Sequence, residues 1–240
     1  MKRTHVTLAL GAVLLLALAA VACKSIEKYT GGGGKGLSEQ QIVSGLKDAL
    51  KVGTKSAVGI LNRNNGFNGD SAVRVLFPPD AVRAEQRLRQ MGFGRKVDDF
   101  IVQMNRGAER AVAEAVKIIT DAVLSMSFDD ARGILFGADN AATEYFRRKT
   151  TNALISAFGP HIKSALDAVN ATALWRDITT TYNKIPGVTK VQTDLVRYVT
   201  DRALAGLFKK LEAEEYKIRK QPLARVTDIL KQVFGELDKR

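Results

Sequence analysis

Across 240 residues there is one cysteine, Cys23, and only two histidines, His5 and His161. A lone cysteine closes no internal disulfide, and so few soft ligands cannot assemble a zinc site from His and Cys. No cofactor or metal is expected on this basis. Once Cys23 is modified, no thiol is left to act as a nucleophile. His161 follows Gly159-Pro160, where an ordinary first-turn histidine is expected. Acidic residues are also in deficit: 25 Asp and Glu face 37 Lys and Arg, a net charge of +12. Such a balance favours anionic partners. The charges nevertheless fall in no block of five of one sign, so they read as a mixed, solvated surface. Aromatics are sparse at 7%, yet 45% of the residues are hydrophobic. That content supports one sizeable core and argues against disorder.

The one long uncharged run, Val6 to Ala22, lies at the N-terminus. It follows the basic start Met1-Lys2-Arg3-Thr4-His5 and ends in Ala19-Ala20-Val21-Ala22, directly before Cys23. This order predicts a lipoprotein signal peptide over residues 1–22. Small residues let a signal peptidase bind the extended backbone in narrow pockets, and the cysteine thiolate accepts the diacylglycerol. At about 17 residues the run is short for a membrane span. An ordinary secretion signal would leave Cys23 as an unpaired thiol in an oxidising compartment. Processing removes Lys2 and Arg3, so the net charge falls by two. Residues 23–36 then form the lipidated cysteine and a flexible tether containing Gly31-Gly32-Gly33-Gly34. Two or more acyl chains, at about 0.8 kcal/mol per buried methylene, anchor stably. Lys24, standing where an aspartate would retain a lipoprotein, points by analogy to the periplasmic face of the outer membrane. An exported chain is not expected to meet nucleic acid.

Residues 37–235 read as one all-α domain of eight or nine helices, followed by a tail over 236–240. Ser38-Glu39-Gln40-Gln41 starts the first helix. Ile42, Leu46, Ala49, Leu50, Ala57, Ile60 and Leu61 carry it to about Asn62, with Gly53 a weak point. Residues 63–79 are irregular, and Ala72 to Phe77 form a short strand or a docked loop. Pro78-Pro79 and an Asp80 cap precede a second helix ending at Gly92. The pattern from Val97 to Val123 would span about 40 Å as one helix, so a bend or break is expected inside it. Ser127 caps a short helix ending at Gly137. Asp139 or Asn140 caps another that reaches Phe158 and breaks at Gly159-Pro160. Leu166, Val169, Leu174, Trp175 and Tyr182 follow on one or two helices. Pro186-Gly187 interrupts the chain before a helix over Leu195 to Arg219. Pro222 starts the last helix, with Val226, Ile229, Leu230, Val233 and Phe234 inward.

Several short stretches, in order and spacing, resemble a known family. They are Gly36-Leu37-Ser38, Val52-Gly53-Thr54, Ser127-Phe128-Asp129-Asp130-Ala131-Arg132, Ala141-Ala142-Thr143, Tyr145-Phe146-Arg147, Lys149-Thr150, Tyr198-Val199-Thr200 and Gly206-Leu207-Phe208. Together they resemble the bacterial family catalogued as domain of unknown function 4197, over roughly residues 36–235. The resemblance implies an exported, often lipid-modified helical protein. It implies no established activity and supplies no catalytic residue.

Ser44-Gly45-Leu46-Lys47 matches a Ser-x-x-Lys pattern, but the partner motifs of that enzyme class are missing. The glycines before Lys35 lack the spacing, the following Ser or Thr and the preceding strand of a phosphate loop. Asp98-Asp99 and Asp129-Asp130 are adjacent pairs, and neighbours point about 100° apart on a helix, so neither pair converges alone. Asp130 reads as a first-turn carboxylate below the Ser127 cap. The densest mixture of residue types runs from Ser127 to Thr150. Within it Asp130, Arg132, Asp139, Thr143, Tyr145, Arg147 and Lys149 are candidates for binding a ligand or partner. Two helix N-termini there are natural anion sites, to which Arg132, Arg147 and Lys149 could contribute. The competing reading is local structure, with caps and a Glu144–Arg148 pair. Tyr145 and Phe146 are not expected to share the centre of one buried stripe.

Three functions remain open. One is an interaction or scaffold lipoprotein that meets envelope proteins or wall polymer. Another is a carrier for a lipid or other apolar ligand held between helices, which a large apolar cavity would favour. The last is a carboxylate-based envelope hydrolase, which needs two facing carboxylates about 5–10 Å apart.

Overall fold

Apolar residues at spacings of three and four dominate the sequence, and the computed structural model is correspondingly all-α. It describes residues 38–237, apart from positions 185, 188, 189, 192, 193 and 226. The leader, Cys23, the tether and Val226 lie outside the described residues, as do the side chains of Leu174, Tyr182, Ile229 and Leu230. Among the described residues there are nine α-helices and no strand. They are α1 (Glu39–Asn62), α2 (Val82–Leu88), α3 (Gly94–Ala111), α4 (Ala115–Leu124), α5 (Phe128–Leu135), α6 (Ala141–Asp167), α7 (Ala171–Tyr182), α8 (Leu195–Lys220) and α9 (Asp228–Leu237). None is long and apolar enough to cross a membrane.

Helix α6 is central, packed on α3 and on α8, while α1 lies against α8, α4 and α9. Two glycines allow the closest approaches. A Cβ on Gly206 of α8 would sit 2.7 Å from Phe67 Cε1, and one on Gly107 of α3 would meet Ala165 Cβ of α6 at 3.3 Å. The expected bend in the long central pattern is a 3-10 turn, Val112–Glu114, between α3 and α4.

Two expected boundaries are moved by tertiary packing. Gly159-Pro160 does not end a helix; Pro160 lies inside α6, which continues to Asp167. An interior proline costs about 3 kcal/mol. Leu154, Phe158, Ile162 and Leu166, on both sides of it, are all fully buried, each contributing roughly 1.5–3 kcal/mol. Packing therefore wins. Pro222 opens only a 3-10 turn, Pro222–Ala224. The buried Arg225 then turns back, donating to the carbonyls of Ile218 at 3.0 Å and Arg219 at 2.9 Å at the end of α8, and α9 starts at Asp228.

The stretch 72–77 is a docked loop, held by side chains instead of a partner strand. Asn105 on α3 accepts from Val75 N at 2.9 Å and donates to Val75 O at 2.8 Å. Glu109, one turn on, accepts from the amides of Phe67 at 3.2 Å and Asn68 at 3.4 Å. Phe67, Val73, Val75 and Phe77 are thereby pressed into the core.

The Ser127 cap is a reciprocal capping box. Ser127 Oγ accepts from Asp130 N at 3.0 Å, and Asp130 Oδ2 accepts from Ser127 N at 3.1 Å. Hydrogen bonds from the Ser127 hydroxyl and then its amide hold the Asp130 carboxyl below the usual aspartate range. The unfolded state then binds more protons, so the capping contribution is full above the ordinary carboxylate pKa and lost as pH falls through the lowered one. The thermal stability difference between wild type and Asp130→Asn should shrink steadily on acidification below about pH 4. A difference independent of pH would show that the carboxylate charge is not what stabilises the cap.

Candidate functional site

The core between α1, α6 and α8 is filled, with voids of only about 20 Å³. The bundle stays open elsewhere, in a groove of about 740 Å³. Its floor is aromatic. The Phe77 ring lies 5.4 Å from Phe100 and 5.5 Å from Trp175, and Phe100 stacks on Trp175 at 6.1 Å. Phe77 arrives on the docked loop, Phe100 on α3 and Trp175 on α7. Val97 completes the floor, Val169 and Ala171 form one wall, and Leu88 and Phe93 form the other. A small cavity of about 60 Å³ shares Phe77, Leu88 and Trp175 with it, closed by Ala81, Ala84, Thr179 and Val191.

The wall carrying Leu88 and Phe93 is built from α2 and a π-turn, Arg89–Phe93. Gly92 adopts φ 86° there, a left-handed conformation that glycine takes without strain. The second helix therefore ends near the expected glycine. The expected Asp80 cap is not made: Ala81 holds the cap position without a side-chain bond, because Pro79 starts a 3-10 turn first. Arg89 ties the wall to α3 through Asp98 at 2.8 Å and to its own helix through Glu85 at 2.9 Å. Among the residues lining the groove, Phe93 stays exposed at 40% and Val169 at 47%. Apolar side chains left this open around a concave floor mark a binding site more often than a packing fault.

Away from the groove lining, the Leu124 carbonyl at the end of α4 accepts from Lys47 Nζ of α1 at 3.1 Å. Lys47, half of the Ser-x-x-Lys pattern, is thus a helix C-cap donor.

The residues singled out between Ser127 and Thr150 are not gathered into one pocket. Asp130 serves the capping box. Arg132 lies over the Phe136 ring at 6.0 Å beside a shallow depression shared with Asp129 and Gly133. Asp139 pairs with Lys220 at 3.0 Å and makes no cap; neither does the side chain of Asn140. Instead the α6 N-terminus is capped from α8. Glu215 accepts from the amides of Ala142 and Thr143 and from Thr143 Oγ1, each at 2.9 Å. The anion at this helix N-terminus is therefore the protein's own carboxylate. Thr143 is buried by that contact. Arg147 sits over Phe208 at 4.5 Å and pairs with Glu144 at 3.2 Å, taking the place expected for Arg148. Lys149 lies over the Tyr145 ring at 5.9 Å. Tyr145 and Phe146 are both buried, with rings 5.7 Å apart. They share the interior because α6 has neighbours on several sides, so its buried arc is wider than one stripe. The aspartate pairs diverge as expected: Asp98 turns to Arg89 and Asp99 to the groove rim.

A family model described as "Protein of unknown function (DUF4197)" matches residues 36–235. The chain belongs to this family. No curated protein and no solved structure matches it. The DUF4197 match begins just before α1 and ends within α9, so it takes in every element that builds the groove. The groove of this DUF4197 domain went unseen in the sequence because its parts are dispersed from Phe77 to Trp175. The one available signal was the chain's only tryptophan, a residue type enriched at binding surfaces.

Proposed function

We propose that the chain is a membrane-tethered envelope lipoprotein whose DUF4197 domain holds a slender apolar chain, of the acyl type, in the aromatic groove. The observation that carries this reading is an open, ring-floored groove of about 740 Å³ beside a core with voids of only about 20 Å³. The size falls within the roughly 300–1,000 Å³ of small-ligand sites. Each buried methylene contributes about 0.8 kcal/mol, offset by the cost of immobilising the chain. Binding in the micromolar range or weaker follows.

Trp175 makes the reading directly testable, since no other tryptophan contributes emission. A dodecyl glycoside added below its micelle threshold should shift Trp175 emission saturably. A Val169→Glu/Phe93→Glu variant should weaken that binding at least about tenfold with little change in melting temperature, because both side chains are substantially exposed. Unchanged emission in the wild type, or equal binding by the variant, would contradict it.

The anchor rests on the sequence order before Cys23. A Cys23→Ala variant should lose membrane fractionation and keep its helical circular dichroism. Mass spectrometry that finds residues 1–22 still attached, or an unmodified Cys23, would remove this part of the proposal.

A scaffold role draws its support from α5 and the residue that ends it. Phe128 and Phe136 are 40% and 50% exposed, and Arg132 lies between them, four residues from each.

A further inference from the structure

The groove rim carries two charges that the fold leaves without ion-pair partners among the described residues, Lys96 and Asp99. On the same helix Asp98 is committed to Arg89, and Glu109 to Arg106 at 2.6 Å, while the exposed Arg95 does not line the groove. Lys96 and Asp99 stand three residues apart, close enough on a helix to pair with each other. They do not pair; both line the groove. Lys96 Nζ lies over the exposed Phe93 ring at 5.6 Å. Gln103, one turn beyond Asp99, lines the same groove and supplies a neutral donor and acceptor. Apolar floor and polar rim are thus adjacent along one face of α3.

Building on the proposal that the groove takes an apolar chain, we infer that its ligand is a single-chain zwitterionic lipid of the phosphoethanolamine type. The acyl chain lies over Val97, Phe100 and Trp175, the phosphate meets Lys96, and the ammonium meets Asp99. A rim on which Lys96 and Asp99 have no ion-pair partner among the described residues complements a head group with one charge of each sign. A fatty acid would satisfy Lys96 but bring its carboxylate beside Asp99. An uncharged alkyl lipid would leave both rim charges unused.

The test follows Trp175 emission in the full chain, titrated with four probes. These are lysophosphatidylethanolamine, lysophosphatidylglycerol, a neutral monoacylglycerol of equal chain length, and phosphoethanolamine without a chain. Wild type should bind the phosphoethanolamine lysolipid about tenfold more tightly than the monoacylglycerol, the effect expected of one or two charge-assisted contacts. Lys96→Glu and Asp99→Lys should each abolish that preference without weakening the monoacylglycerol. The double variant, which exchanges the two charges, should restore part of it. Asp99→Lys should tighten the anionic phosphatidylglycerol probe. Phosphoethanolamine alone should not bind detectably. Both positions are exposed, so folding is not at stake. The head-group assignment is overturned if wild type shows no preference while binding the monoacylglycerol, or if the preference survives both single variants. It is also overturned if free phosphoethanolamine binds as tightly as the lysolipid. Failure of the monoacylglycerol itself to move Trp175 emission would instead remove the groove reading on which this one rests.

Discussion

Glu215→Ala is expected to destabilise the domain by about 3–5 kcal/mol, the range for breaking a buried ion pair by deleting one partner. Glu215 is only 8% exposed. Its carboxylate caps the first turn of α6 and also accepts from Arg219 Nε at 3.0 Å and Nη2 at 2.8 Å. Arg219 in turn donates to the carbonyls of Ile134 at 2.7 Å and Leu135 at 3.3 Å, at the end of α5. One pair of side chains thus satisfies the C-terminus of one helix and the N-terminus of the next, the orphan groups that buried helix ends must place somewhere. Alanine leaves the Ala142 and Thr143 amides without an acceptor and Arg219 with a cation facing no carboxylate. Urea denaturation measures the loss. Adding Arg219→Ala should cost less than it does in the wild-type background, because the two residues act together. A loss below about 1 kcal/mol would show that the α6 N-terminus does not depend on Glu215.

Asn105→Ala is the second large effect, expected at roughly 2–5 kcal/mol. Its amide satisfies both Val75 N and Val75 O, and it also donates to Ile101 O at 2.8 Å. Asn105 and Val75 are fully buried, so truncation orphans two backbone groups at about 1–3 kcal/mol each. Phe77 follows two residues later on the groove floor. Asn105→Ala should therefore also weaken binding of an alkyl probe, whereas folded Glu215→Ala, altered at a residue that does not line the groove, should bind it as wild type does. Equal effects of the two substitutions on binding would contradict the role of the docked loop in shaping the floor.

The contrast between these residues and those that could be read in advance is physical. Helix α1, the bend between α3 and α4, and the Ser127 capping box were legible because apolar spacing, length and an N-cap serine act within a few residues. Pro160 misled for the same reason. Its local cost is real, but four fully buried side chains around it lie against α3 and α8, and a local pattern does not contain their burial. Asp139 and Asn140 were reasonable caps by residue type. The acceptor that caps α6 comes from Glu215, more than seventy residues away, and nothing near it distinguishes that glutamate from the exposed Glu212. The candidate site divides likewise. Its composition of basic, acidic and aromatic residues pointed to Ser127–Thr150, where Thr143 and Tyr145 proved to be interior. The groove instead unites Phe77, Phe93, Phe100 and Trp175, each ordinary in its own segment. Only the crossing of a docked loop, α3 and α7 makes them one surface.

The central claim, that the DUF4197 domain carries an apolar chain in this groove, is tested most directly by native mass spectrometry. The sample is the full-length protein recovered from membranes after gentle removal of detergent. The account predicts two species: the protein acylated at Cys23, and the same protein with one non-covalent single-chain lipid. The second should be depleted in the Val169→Glu/Phe93→Glu variant. Bare protein alone, even after incubation with lysolipid, would contradict the account, as would a bound lipid retained undiminished by that variant.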